Sequence, residues 1–341
     1  GKQKDLWLIK TDNRGIAKWE RTYGGDADED GYDVISTSDG GLLSVGYSWS
    51  YGNSQQIFVV KTDFHGDREW ENTYGGSMWE AGQAVIEVIG GGYVIAGFSN
   101  SPGISSGNTD IILLKIDDLG NKIWQHSYGN LEFPNHEWAY DVVQTLDKGF
   151  IIVGSRDRYS KGSKNGLIIR TDESGRKIWE KELLDDGQVS EVIFSIAASN
   201  NGSYYLCSSL NSISSPNIYH PKIIKMDGSG NIDWARKLNS NSREYHQFRA
   251  ISTQSQNIVV VGSSIQQLPK GNQEDAFLTK LDSEGNLIWS NAYGSADNDD
   301  WGWSILETPK SNLVFVGSTK SFGASLFDIL LVGTNAEGLS Q

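Results

Sequence analysis

The sequence predicts an all-β protein: a six-bladed β-propeller of four-stranded antiparallel blades, closed by strands from both termini. Three observations carry that prediction. One motif recurs six times at nearly constant spacing, each recurrence contains four strand-like segments broken by glycine turns, and no segment keeps the apolar period of 3.6 that helical repeats need.

The motif is a cation, any residue, Asp, two residues, Gly, three residues, Trp. It reads Lys10-Asp12-Gly15-Trp19, Lys61-Asp63-Gly66-Trp70, Lys115-Asp117-Gly120-Trp124, Arg170-Asp172-Gly175-Trp179, Lys225-Asp227-Gly230-Trp234 and Lys280-Asp282-Gly285-Trp289. Successive tryptophans are 51, 54, 55, 55 and 55 residues apart, close to the period of a propeller blade. A decayed seventh copy, Gly333-Asn335-Gly338, ends the chain without its Trp.

Within a unit, strand A (Tyr32–Thr37) alternates and is β-branched. It turns at Asp39-Gly40-Gly41, because Gly supplies the positive φ of a tight hairpin. Strand B is Leu42–Gly46, a polar loop follows, and strand C is Ile57–Thr62. The Asp63–Gly66 turn starts on an Asx-type cap and leads into strand D, which carries Trp70 and ends at Tyr74-Gly75-Gly76. The recurring Trp is expected to pack between adjacent blades.

Strand counting sets the blade number. A strands begin near Tyr32, Gln83, Tyr140, Phe194, Phe248 and Trp303, which is six, whereas C strands number seven, the last being Ile329–Thr334. Six blades closed by both termini leave no exposed edge; the surplus C strand means that Asp5–Thr11 or Ile329–Thr334 pairs irregularly, or, as the alternative, that there are seven blades, one incomplete. The whole chain, 1–341, is read as one propeller domain, since repeat units share their core with their neighbours.

Composition narrows the partners. With 43 acidic against 29 basic residues the formal charge is −14, which repels phosphate backbones and argues against nucleic acid. No run approaches the ~18 apolar residues of a membrane helix. The single cysteine, Cys207, lies in the apolar run Tyr204-Tyr205-Leu206-Cys207 and reads as a buried, inert thiol.

The Lys-x-Asp-x-x-Gly-x-x-x-Trp element resembles the tryptophan docking motif of quinoprotein-like propellers. The alternation of Tyr-Gly-Gly with Asp-Gly-Gly is similar to that of bacterial secreted or lipid-anchored β-propeller repeat proteins, weakening where Leu183-Leu184 and Leu238-Asn239 replace Tyr-Gly-Gly. That resemblance implies a monomeric protein of the bacterial cell envelope, extracytoplasmic, with membrane attachment through a lipid anchor preceding Lys2 as one form. It implies no quinone, because the shared element is a packing element.

Function is expected on one pole. Strand direction alternates, so the uniform A–B and C–D turns share one face and the diverse B–C and D–A loops share the other. Variable loops on a rigid scaffold collect binding residues. The candidates for ligand contact there are Trp49, Trp79, His136, Trp138, Tyr219, His220, Arg243, Tyr245, His246 and Trp301. Aromatic faces among directional polar groups suit a glycan or a protein ligand. An acid column at the start of strand A (Glu29, Glu80, Glu137, Glu191, Asp300) is expected to accept backbone N–H bonds at the D–A corner.

Asp26, Asp28 and Asp30 have the alternating spacing that opens a calcium loop, making calcium the one cofactor with any support. The pattern then breaks: Val34 and Thr37 stand where the later acids belong. The five histidines lack zinc-ligand spacing, and no Gly-x-Ser-x-Gly nucleophile motif appears. Sialidase Asp boxes place one residue between Asp and Gly, where this chain has two. The reading is therefore a non-enzymatic binding module, with a carbohydrate-active enzyme using Glu137, Glu244 and Asp300 as the alternative.

Overall fold

A computed structural model describes residues 3–105, 108–129, 135–158, 163–183, 189–212, 215–238, 249–253, 255–268, 271–295, 298–321 and 327–340. The fold is an all-β, six-bladed β-propeller. The chain opens on a hairpin, β1 (Leu6–Thr11) and β2 (Ala17–Tyr23). The first blade is β3 (Glu29–Ser36), β4 (Leu42–Ser48), β5 (Gln56–Thr62) and β6 (Arg68–Tyr74), and the second is β7 (Glu80–Glu87), β8 (Tyr93–Ser99), β9 (Asp110–Ile116) and β10 (Lys122–Tyr128). The third is β11 (Glu137–Gln144), β12 (Phe150–Arg158), β13 (Ser163–Thr171) and β14 (Lys177–Leu183). The fourth is β15 (Val189–Ala198), β16 (Tyr204–Ser212), β17 (Ser215–Met226) and β18 (Ile232–Lys237), and the fifth is β19 (Arg249–Ser252), β20 (Ile258–Leu268), β21 (Gly271–Leu281) and β22 (Leu287–Tyr293). The last is β23 (Asp300–Glu307), β24 (Leu313–Thr319) and β25 (Asp328–Thr334). Two compact units are distinguished, residues 1–162 with 168–180 and residues 163–167 with 181–341.

Five sheets have four strands in sequence order, while β23-β24-β25 has three and β1-β2 has two. β25 is a regular C strand, paired with β24 from Leu313↔Thr334 to Thr319↔Asp328 without a register shift, so the surplus C strand is β1, which among the described strands pairs with β2 alone. The N-terminal hairpin pairs only within itself among the described residues and packs on the first blade, Leu6 and Tyr23 against Phe58 and Val60.

Strand A starts earlier than its alternation suggests, because every well-described copy carries a bulge. The register slips between Gly31 and Asp33, Gly82 and Ala84, Ala139 and Asp141, Ile193 and Ser195, and Gly302 and Ser304. Tyr32, Gln83, Tyr140, Phe194 and Trp303, read from sequence as strand starts, are the extra residues. A bulge pushes its backbone toward the partner strand. In four blades a Gly faces it: a Cβ on Gly46, Gly97, Gly154 or Gly317 would lie 1.8, 2.0, 1.8 or 1.7 Å from a carbonyl oxygen of strand A.

The motif docks each strand D on the following turn. Asp63 Oδ1 accepts the His65 and Asp67 N–H groups at 2.7 and 2.9 Å, closing the turn that leaves Gly66 at φ +81. Trp19 of the preceding strand D lies on that glycine, 3.0 Å from where its Cβ would be, and Tyr23 donates its hydroxyl to Gly66 O at 2.6 Å. The same contacts join Trp70 and Tyr74 to Gly120, and Trp124 and Tyr128 to Gly175. In the second unit they join Trp234 to Gly285, and Trp289 and Tyr293 to Gly338. The decayed seventh copy keeps this role: Asn335 caps the Glu337 and Leu339 N–H groups as the aspartates do. Tyr128→Phe removes one such bond from a buried acceptor and is expected to cost about 1–2 kcal/mol, readable as a lowered urea midpoint at unchanged slope.

Candidate functional site

On the loop pole four A–B ladders run past their buried acid by one more backbone bond. Trp49 N–H donates to Asp28 O at 3.0 Å, Asn100 N–H to Trp79 O at 3.1 Å, and Asp157 N–H to His136 O at 2.8 Å. In the second unit Lys320 N–H donates to Asp299 O at 3.0 Å. The backbone bond is the same in these four blades while the side chains at it differ. The rung therefore fixes position and leaves chemistry free, as a binding rim requires.

In the first unit the rim carries two open indoles. Trp79 is 55% exposed and Trp49 39%, so each leaves a large apolar surface in water. Both are pinned through their backbone, and Trp79 N–H also donates to Asn100 Oδ1 at 2.7 Å. His136 accepts the Thr109 N–H on Nδ1 at 3.0 Å, which places the proton of the neutral ring on Nε2. Its ring lies 5.6 Å from that of Trp138, and both are half-buried. Tyr51, by contrast, stacks on Phe58 and donates to Glu71, so it mainly fastens its loop. Asn100 and Asp157 escaped the sequence reading. Their signal is regular: each stands three residues after the strand-B glycine, as Trp49 and Lys320 do.

Other candidates fall elsewhere. Trp301 is only 3% exposed. Its indole donates to Glu274 Oε2 at 3.1 Å and is covered by Phe327 and the Lys320 ammonium, so it packs rather than presents a face. Tyr219 and His220 are ladder residues of β17, opposite Asn211 and Leu210 of β16, because the hairpin extends through what reads as a loop. Arg243, Tyr245 and His246 lie outside the described residues.

The calcium expectation is corrected. Asp28 Oδ1 accepts the Lys4 N–H at 3.0 Å and Asp30 Oδ2 the Tyr47 hydroxyl at 2.6 Å, while the Asp26 carbonyl takes the Gln3 amide. Glu29 between them is buried, so the chain here is a strand start and not a loop wrapped around a cation. Among the described residues no group of three or more His, Cys, Asp or Glu side chains is placed to hold a metal ion. Cys207 is fully buried, and burial pushes its thiol up, out of the reactive range.

Beneath the rim lies the acid column, Glu29, Glu80, Glu137, Glu191 and Asp300, all buried. Three of the five cap the corner after Tyr-Gly: Gly25 N–H donates to Glu29 at 3.0 Å, Gly76 N–H to Glu80 at 3.1 Å and Ser295 N–H to Asp300 at 3.1 Å. The other two take cations. Lys222 meets Glu191 at 2.7 Å, and Arg156 Nε meets Glu137 Oε1 at 2.7 Å while its Nη1 reaches Glu180 at 3.1 Å. Burial lifts the Glu137 carboxyl to about 7 despite Arg156. Arg156, another residue the sequence reading passed over, sits two residues after the strand-B glycine where the first two blades have Ser48 and Ser99.

No protein-family model matches the chain, and no curated protein does. Solved structures share its fold. An α-L-arabinanase of Penicillium chrysogenum, complexed with arabinobiose, is 15% identical over 91% of this chain and 94% of that one, with a TM-score of 0.55. An α-L-arabinofuranosidase of Fusarium graminearum with an iminosugar inhibitor is 12% identical over 89% and 93%, TM-score 0.56. An ulvan lyase bound to an oligosaccharide is 10% identical over 93% and 81%, TM-score 0.54. At these identities the likeness is one of fold.

Proposed function

We propose that the chain is a glycan-binding module whose ligand lies across the loop-pole rim of the first unit, on Trp49 and Trp79. The observation that carries this is the pair of indoles, 39% and 55% exposed, held by the same ladder bond on consecutive blades. A rigid indole offers a sugar ring its apolar face at little entropic cost, and Asn100, His136 and Asp157 add hydrogen-bonding groups at neighbouring rungs. Membership of the cell envelope, outside the cytoplasm, fits this role.

A second reading, a carbohydrate-active enzyme, draws on the glycoside hydrolase and lyase fold of the neighbours and on Glu137, whose carboxyl at about 7 is in the range of a general acid. Against it, Glu137 and Asp300 are both 0% exposed, whereas glycosidase carboxylates flank the scissile bond. Glu244 lies outside the described residues.

One preparation separates the two. Titrating arabinan, ulvan and a neutral-glycan panel is expected to give binding without turnover. Trp79→Ala should weaken that binding about tenfold or more, the loss typical of an exposed aromatic anchor, at an unchanged melting temperature. Turnover abolished by Glu137→Gln would favour the enzyme, and binding indifferent to both Trp49→Ala and Trp79→Ala would remove the proposed surface.

A further inference from the structure

The acid column has a second member across each blade seam. Five residues before the motif cation, strand C of one blade carries Gln56, Asp110 or Asp275, and each lies beside the acid of the next strand A, Glu80, Glu137 or Asp300. The glycine of Tyr-Gly packs on these side chains, at two seams on both members of the pair. A Cβ on Gly75 would lie 2.4 Å from Gln56 Oε1 and 2.5 Å from Glu80 Oε2, and one on Gly294 would lie 2.5 Å from Asp275 Oδ1 and 2.6 Å from Asp300 Oδ2. A Cβ on Gly129 would likewise lie 2.1 Å from Asp110 Cγ, and the Glu137 N–H anchors this corner on the neighbouring Thr109 O at 2.8 Å.

The first seam shows what the geometry asks for. Gln56 Nε2 donates to Glu80 Oε2 at 3.2 Å, so an N–H stands between the two side chains. Asp110 and Asp275 have the same place but, ionised, have no hydrogen to give. In accord with that, among the described residues Glu137 Oε2 has no hydrogen-bond partner although Glu137 is 0% exposed, and Asp275 Oδ1 has none either. An orphaned buried carboxylate oxygen beside a second carboxylate is costly in both ionised forms.

We propose that the seams Asp110–Glu137 and Asp275–Asp300 each hold one proton shared between the two carboxyl groups, in the role of the Gln56 amide, so that acid locks these two corners and alkali loosens them. The proton is released to solvent when the corner opens. The groups facing Glu137 are Asp110 on β9, Arg156 on β12 and Glu180 on β14, with His136 next in sequence. Those facing Asp275 are Asp300 on β23 and Asp299, itself 3.7 Å from Lys320. Burial, with the neighbouring acids, lifts Glu137 to about 7 and Asp275 to about 6. Each folded-state value lies above that of the unfolded chain, about 4. The native state therefore keeps protons the unfolded chain has lost, and stability from the pairs falls as pH rises from about 4, with the loss complete above about 7.

The test is thermal unfolding of the full chain from pH 4.5 to 9 with Asp110→Asn, Asp275→Asn and their combination, beside Asp233→Asn, which removes an exposed charge. The amide variants should match wild type at pH 4.5 and melt a few degrees higher by pH 8, the gap opening between pH 4.5 and 7. If both follow the Asp233→Asn control at every pH, the proposal fails. Difference infrared spectra give a reading that does not depend on how the variants fold. At pH 6 the wild type should show a protonated-carboxyl C=O stretch, and its absence would equally overturn the shared protons.

Discussion

Gly154→Ala is expected to destabilise the protein by about 3 kcal/mol or more, among the larger single-methyl effects a fold can show. The added Cβ would stand 1.8 Å from Trp138 O, 2.9 Å from Trp138 C and 3.1 Å from Ala139 Cα. All three are backbone atoms of the bulged strand, so no side-chain rotation relieves the overlap. Relief would require the bulge to straighten, and a one-residue slip would turn the strand's core side chains toward the opposite face. Gly333→Ala is the matching control, since nothing lies within 4 Å of its Cβ and its φ is not positive. Urea unfolding should show a large loss for Gly154→Ala and little change for Gly333→Ala. A Gly154→Ala protein within about 1 kcal/mol of wild type would mean the bulge is not held as described.

Arg156→Met is expected to cost about 3–5 kcal/mol at alkaline pH, the usual penalty for leaving one half of a buried ion pair. Arg156 is 7% exposed and Glu137 is 0%, so water cannot stand in for the guanidinium. Methionine keeps much of the stem volume, which separates loss of charge from loss of packing. The effect should depend on pH with a definite sign. Arg156 is what holds the Glu137 carboxyl down against burial, so removing it raises that carboxyl above its present value of about 7. At pH 5 Glu137 is then neutral in both proteins and only hydrogen bonds are lost, about 1–2 kcal/mol. As pH rises the wild type can ionise Glu137 beside its partner and the variant cannot, so the gap widens. Unfolding curves at pH 5 and pH 8.5 test this, and equal losses at both would refute the ionic role.

Several elements were legible from residue order because their causes are local. The Asp-x-x-Gly turn is closed by one side chain on N–H groups two and four residues ahead, so Asp63 and Gly66 announce it without any tertiary partner. The seven C strands counted from sequence are the seven that fold, but the count left open which terminal one was surplus, Asp5–Thr11 or Ile329–Thr334; pairing makes it β1, since β25 is a regular third strand of its sheet. The acid column was readable for a related reason: a carboxyl repeated at one place in five units answers a repeated need, in three of them the N–H after Tyr-Gly.

Candidate ligand contacts were less legible, since exposure depends on what returns from distant parts of the chain. Trp79 and Trp301 stand next to acids in similar polar segments, yet Trp79 is 55% exposed and Trp301 is 3%. Phe327 and Lys320, 26 and 19 residues further on, close over Trp301, whereas Trp79, on the other side of its acid and two ladder positions nearer the rim, is left open. Tyr219 and His220 were read as loop because Ser, Asn and Pro surround them, but pairing with β16 outweighs that local preference.

Taken alone, the order of residues determined the repeat, its turns, the number of blades and the pole where variation gathers, because hairpin direction and glycine placement follow from neighbours a few residues apart. Tertiary structure alone decided which aromatic faces meet water, where the bulge shifts the register of strand A, and that Asp110 and Asp275 meet a second carboxylate across a seam. Those outcomes depend on segments 20 to 50 residues apart being brought together, and burial, which sets both exposure and charge, exists only once they are.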